Sequence, residues 1–303
     1  MRSLHIRAGM LATAFCAAAF AQTTAEAPAY AIHYEQAFKT GQKFTVKVRD
    51  TLRYASKTQL PDGQVAPSDS LRRLVLDGEL RVDDVDEKGR VTAASVTIGN
   101  FTQQKTAGAS QIADALPSEL LAPGTPVALH WKDGKVAFES KDDGSLGDEA
   151  AAALRQLFPP LPESSADNDA IYGVSDKRQV GDTWPVNVQA LAATRDVPQG
   201  LDPDHTDGKV TFKAVRTIGG TACAQLEATL SSKNVPMEGT EAKESAVTAT
   251  FSADLPLDKG KTVVSTHLDA KVHAVTEQKP NGMGTIRRTL DIETIHDVSW
   301  LPK

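Results

Sequence analysis

Apolar and polar side chains alternate at a two-residue period through most of this chain. Over residues 43–52, Phe44, Val46 and Val48 interleave with Thr45, Lys47 and Arg49, which is the mark of a strand with one buried face. Leu60-Pro61-Asp62-Gly63 interrupts the pattern with turn chemistry. Alternation resumes over 72–85, Asp86-Glu87-Lys88-Gly89-Arg90 supplies a polar hairpin turn, and 91–101 runs back. Asp133-Gly134 joins the apolar runs 127–131 and 135–138 and is a strong short hairpin signal. In the second half, strands are expected over 182–192, 209–215, 221–230, 247–255, 262–276 and 285–298, with Gly219-Gly220 turning one hairpin.

The last two strands can be registered from side chains alone. Val264, Leu268, Ala270, Val272 and Ala274 point one way, and His267, Asp269, Lys271 and His273 the other. If paired positions sum to 564, His273 faces Asp291, Lys271 faces Glu293 and Val272 faces Ile292, so apolar meets apolar and each charge meets its opposite. A one-residue slip would set His273 against Leu290 and reverse every face. This register requires an odd-length turn around Asn281, Gly282 and Met283. One helix interrupts the strands: Ser145 stands as its cap with Asp148 completing a capping box, Ala150, Leu154, Leu157 and Phe158 share a face, and Pro159-Pro160 ends it.

The halves echo each other. Asp77-Gly78 and Asp207-Gly208 lie 130 residues apart, and at that offset Val82 meets Phe212, Val85 meets Val215, Gly89 meets Gly219 and Val96 meets Leu226. Gly41-Gln42-Lys43-Phe44 likewise parallels Gly181-Asp182-Thr183-Trp184. The expected fold is therefore mainly β: two related antiparallel, curved, half-barrel-like sheets with one or two short helices between them. Residues 1–21 read as a signal peptide, 22–160 as an N-terminal β-rich half ending in a helix, 161–179 as a Pro/Ser/Asp linker, and 180–303 as a C-terminal antiparallel half.

The signal assignment rests on Arg2 and Arg7, the apolar run 8–20, and an Ala19-Phe20-Ala21 cleavage site. Phe15 before Cys16 disfavours acylation of that cysteine. A periplasmic or secreted destination follows, with no transmembrane segment in the mature chain. Cleavage near Ala21 removes two arginines and no acid from a chain of net charge −6, leaving −8, which argues against nucleic acid or an anionic membrane as partner. Only Cys223 survives processing, so no internal disulfide forms and stability must come from core burial. Cys223 itself, between Ala222 and Ala224 in a strand, is expected as a buried free thiol.

Candidate chemistry is sparse. Asp202, Asp204 and Thr206 alternate as in a calcium loop, but Gly208 comes one residue late and Lys213 stands where the terminal acid belongs; the loop reads as a solvated turn running to Asp207. Gly260-Lys261-Thr262 lacks the preceding glycine of a phosphate loop, since Leu255 occupies that place. Asp143-Gly144-Ser145-Leu146-Gly147 has an acid where a nucleophile elbow needs glycine. His267 and His273 are six residues apart, about 20 Å at ~3.3 Å per residue, too far to share a metal. His130 with Asp133 is the remaining local pairing. Trp131, Trp184 and Trp300 sit near strand ends, as core anchors or as the lining of a shared groove. No catalytic residue, metal ligand or cofactor is assigned from these patterns, and ligand-binding residues stay unassigned.

The segment Phe158-Pro159-Pro160-Leu161-Pro162 followed by Val180-Gly181-Asp182-Thr183-Trp184 resembles a pattern of exported bacterial β-proteins of unknown function. There a helix ends in a Pro-rich linker and a Val-Gly-Asp-(Ser/Thr)-Trp strand start leads into long antiparallel strands; residues 251–269 and 284–300 fit that sheet. The resemblance implies an envelope-associated β-protein with no assigned reaction. The expected function is non-covalent binding of a hydrophobic ligand, with the helix at 145–158 as a lid, rather than catalysis. The alternatives are an envelope structural or protein-interaction module and, last, a hydrolase with a non-local site.

Overall fold

The computed structural model describes residues 27–34, 36–107, 116–132, 135–140, 146–158, 168–193, 202–235, 242–279 and 284–303. Mainly β and antiparallel as expected, these residues form an open, curved, twelve-stranded sheet with three short α-helices. The strands are β1 (Lys43–Gln59), β2 (Val65–Val85), β3 (Val91–Ala107), β4 (Ser118–Leu121), β5 (Pro126–Lys132), β6 (Lys135–Ser140), β7 (Thr183–Pro185), β8 (Thr206–Ile218), β9 (Thr221–Lys233), β10 (Ala242–Pro256), β11 (Val264–Gln278) and β12 (Ile286–Pro302). Helices α1 (Asp148–Leu157), α2 (Asn168–Tyr172) and α3 (Val188–Ala192) fall between β6 and β8.

Strand order is β6-β5-β3-β2-β1-β12-β11-β10-β9-β8-β7, with β4 paired to β3. Each half of the chain is thus a meander, and the first strand pairs with the last, from Phe44 opposite Pro302 to Gln59 opposite Arg287. That ladder makes the two halves one sheet. Its outer edges, β6 and β7, lie on either side of the connector between the halves.

Pairing registers carry one face across the whole sheet. Val48 of β1 faces Leu76 and Val298, Thr266 faces Ala253, and Ala253 faces Leu226. This apolar face bears two packed clusters. The first joins Phe44, Val46, Val48, Leu74, Leu76, Phe101 and Leu129 to Ala150, Ala153, Leu154 and Leu157 of α1. The second joins Val210, Phe212, Leu226 and Leu255 to Ile171 of α2, Leu191 of α3, and Ile32 and Tyr34 of the N-terminal segment. That segment runs as a strap between them. Tyr30 packs edge-on to Phe212 and Tyr34 against Tyr172. Gln36 exchanges two hydrogen bonds with the Val263 backbone, and Phe38 meets Phe44 and Trp300.

The β11–β12 register is the one expected, with His273 opposite Asp291, Lys271 opposite Glu293 and Val272 opposite Ile292; the turn tip at Asn281–Met283 lies outside the described residues. The echo between halves is also physical. Gly41 N–H donates to Val82 O and Val82 N–H to Gln42 O, while Gly181 N–H donates to Phe212 O and Phe212 N–H to Asp182 O. Gly41 and Gly181 both take positive φ, 85° and 97°, a conformation that glycine adopts without steric cost.

Three local expectations are corrected. Helix α1 starts at Asp148 with Gly147 as its cap and no side-chain capping bond, so no capping box forms; Ser145 lies outside the described residues, as do residues 1–21. The strand expected over 182–192 ends at Pro185, because Asn187 turns the chain, accepts from the Ala190 N–H and opens α3. The connector 161–179 is not wholly loop: α2 forms there and buries Ile171.

Close backbone approach makes one glycine testable. A Cβ on Gly78 would sit 2.6 Å from the Thr97 carbonyl oxygen, where β2 bulges against β3. Gly78→Ala is expected to lower stability by about 1–3 kcal/mol in urea unfolding; an unchanged midpoint would show that the bulge yields freely.

Candidate functional site

Between the two clusters the apolar face is only half covered. Leu268, Ala270 and Val272 of β11, and Leu290, Ile292, Thr294 and His296 of β12, are half-buried, whereas Val46, Val48, Leu74 and Leu76 are fully enclosed. The registers align these residues with Leu52 and Tyr54 on one side and Ala249 and Phe251 on the other. Four adjacent strands, β1, β12, β11 and β10, form this floor, about 14 Å wide at ~4.8 Å per strand. From His296 to Leu290 it runs about 20 Å at ~3.4 Å per residue.

Walls rise on three sides of the floor. The α1 cluster stands over β1 to β3, and α2 stands over β10, where Tyr172 stacks on Phe251 at 5.7 Å. The strap closes the end at Val263 and Trp300. Toward β9, Asn234 and Val235 fold back over the sheet, with Ser245 Oγ donating to Val235 O. At the remaining side Arg288 donates to the Tyr54 hydroxyl and lies over its ring at 5.9 Å.

Polar groups punctuate the walls. Asp50 is buried at the foot of the α1 wall, with Arg72 Nη2 at 3.5 Å and His296 Nδ1 at 3.3 Å. Burial pushes the Tyr34 and Tyr172 phenols above their usual range, reinforced at Tyr34 by Tyr172 and Asp169. Both stay protonated at neutral pH. The Tyr34 hydroxyl is buried without a hydrogen-bond partner among the described residues.

The opposite face is polar and holds a groove of about 450 Å³. Two cross-strand rows build it. In one, Lys47 faces Ser299 and Ser299 faces Ser265. In the other, Arg49 faces Asp297, Asp297 faces His267, and His267 faces Ser252. Asp254, only 2% exposed, holds Arg216 through both carboxylate oxygens and accepts from Ser265 Oγ at 2.6 Å. His267 Nδ1 lies 2.7 Å from Asp297. Beside this group Cys223 is a buried free thiol, as expected, and burial together with Asp254 pushes its ionisation upward.

The residues singled out in the sequence disperse. Asp202 caps a short 3₁₀ turn, its carboxylate accepting from the Asp204 N–H and contacting His205 Nδ1 at 2.7 Å, while Thr206 Oγ1 donates to the Asp202 carbonyl. His273 and Asp291 pair at 2.7 Å on the exposed polar face, a contact worth roughly 0.2–1 kcal/mol. Asp133 lies outside the described residues. The tryptophans do not share one groove: Trp131 and Trp300 pack on the first cluster, and Trp184 is buried in the second with its Nε1–H on the Tyr172 carbonyl. Neither the recess nor the Arg216–Asp254 pair was marked in the sequence, because both depend on how distant strands are ordered.

No protein-family model matches the sequence, and no curated protein is significantly similar to it. Among solved structures, one described as "Lipid-protein interactions in lipovitellin" superposes with a TM-score of 0.36 at 10% identity. The match covers 88% of this chain and 25% of that one, so this chain spans about a quarter of the lipovitellin chain. A superposition of that quality establishes no relationship.

One substitution and one reactivity measurement check the buried groups. Tyr34→Phe removes an unpartnered hydroxyl and is expected to leave stability unchanged within about 1 kcal/mol or to raise it; a clear loss in urea unfolding would reveal a bond to that oxygen. Cys223 is expected to resist a disulfide reagent in the native state and to react readily in urea. Equal rates in both would contradict its burial.

Proposed function

We propose that this chain is an exported binding protein of the periplasm or the secreted fraction, holding a hydrophobic ligand non-covalently in the recess of its apolar face. The single observation that carries this reading is the half-buried strip from Leu268 to Val272 and Leu290 to His296, lying between two closed clusters on one continuous face. An apolar occupant removes that strip from water, worth roughly 25 cal/mol per Å² of surface covered. The floor is long and narrow, which suits an extended apolar chain. Arg288 beside Tyr54 at the open side offers donors to a polar or anionic head. Helix α1 serves as a wall, since its apolar face is already committed to the first cluster.

The signal-like residues 1–21 and the resemblance around Val180, Gly181, Asp182, Thr183 and Trp184 support export. Binding without catalysis is part of the proposal: among the described residues the floor is built mainly of Leu268, Ala270, Val272, Leu290 and Ile292, which offer apolar contact rather than a reacting group.

The test is uptake of the fluorescent probe ANS by the mature folded protein, with displacement by dodecanoate. Saturable uptake is expected in the wild type and a loss of about 10-fold or more in affinity in Val272→Glu, which sets a charge on the floor. Thr294→Trp, which fills the recess without charge, is expected to act likewise. Circular dichroism and urea midpoints establish that each variant is folded. No saturable uptake by wild type, or undiminished uptake in both folded variants, overturns the proposal.

A further inference from the structure

The polar groove on the opposite face is independent of the recess, and its construction is unusual for a solvent-facing sheet surface. A carboxylate only 2% exposed lies in its lining. Burying such a charge is costly unless it is paired, and Asp254 is paired: Arg216 clamps both oxygens and Ser265 donates to one of them. The clamp in turn fixes the guanidinium, so its remaining N–H groups are held on a rigid scaffold of β8, β10 and β11. The second acid, Asp297, is engaged by His267.

Lys47 and Arg49 stand on the other side of the groove, about 14 Å from β10 by strand spacing. Neither makes an ion pair among the described residues. Asp77 faces Lys47 from β2, and among the described residues it belongs neither to the groove lining nor to an ion pair. Between the two sides lie hydroxyl and amide groups from Ser299, Ser265, Ser252 and Gln225. The volume of about 450 Å³ falls within the ~300–1,000 Å³ typical of small-molecule sites.

We infer that this groove binds a small polyhydroxylated oxyanion, a sugar acid or a sugar phosphate. Lys47 and Arg49 hold the anionic group. The serine hydroxyls, Gln225 and the edge of Arg216 pair with the ligand's hydroxyls, and the clamp on Asp254 holds Arg216 in place beforehand, so that side chain needs little ordering on binding. The common chemistry is an oxyanion next to several hydroxyls; whether it is a carboxylate or a phosphate is read from the experiment.

Calorimetric titration of the mature protein at low ionic strength with glucuronate, glucose 6-phosphate and glucose tests the inference. Saturable binding of at least one of the two acids is expected, with glucose too weak to measure, and the acid that binds identifies the oxyanion. In Lys47→Ala/Arg49→Ala, both exposed positions, that affinity should fall about 10-fold or more, the loss of one or two charge-assisted hydrogen bonds. Lys57→Ala/Lys135→Ala removes equal charge elsewhere and should retain wild-type affinity. The inference is overturned if neither acid binds, if glucose binds as well as the acids, if the first double variant keeps its affinity, or if the control pair loses as much.

Discussion

The ladder between β1 and β12 is the constraint on which this molecule depends. An open sheet edge leaves a row of unpaired backbone donors and acceptors, and each half of the chain, as a meander, would leave one at its inner end. Pairing Phe44 through Gln59 with Pro302 through Arg287 removes both edges at once. It also aligns the apolar faces of the halves, so that Val48 and Val298 continue the surface that Leu226 and Phe212 begin on the far side. Both candidate sites lie across this seam.

A face of that extent needs covering, and three short helices and a strap do not suffice. Helix α1 encloses the end around Leu74, Leu76 and Phe101, and α2 and α3 enclose the end around Val210 and Phe212. The strap from Tyr30 to Phe38 links the two along one margin. What remains is the strip over β11 and β12, apolar in composition and walled by the same side chains that stabilise the fold. Packing and the recess are therefore consequences of one arrangement: the cores stop where the helices stop.

On the polar face the logic reverses. Strands that turn Leu268 and Val298 to the apolar face must project His267 and Asp297 from the other, because the side-chain period is two. The antiparallel registers then set Arg49, Asp297 and His267 in a row. A bulge at Phe212 and Ala214 shifts β8 against β9, and Arg216 beyond it reaches across to the buried Asp254 on β10. Solvent-facing charge thus becomes an ordered groove only where a carboxylate is drawn below the surface and clamped.

Much of this was determined by sequence alone. Strand type, the β11–β12 register with Val272 against Ile292, the buried thiol at Cys223, and the matched glycines Gly41 and Gly181 all follow from local alternation, charge pairing and turn chemistry, which act over a few residues. Helix α3 was missed because residues 182–192 carry a strand-like apolar pattern. The competing local signal was Asn187, whose side chain caps the helix by accepting from the Ala190 N–H, while its own N–H is fixed by the Ile171 carbonyl of α2. Nor was the recess. Its floor combines Leu52 with Thr294 and Ala270, positions separated by most of the chain, and no pattern within one strand states which strand will lie beside it. Only the tertiary structure decided that β1 pairs β12, because that choice rests on satisfying two exposed edges together.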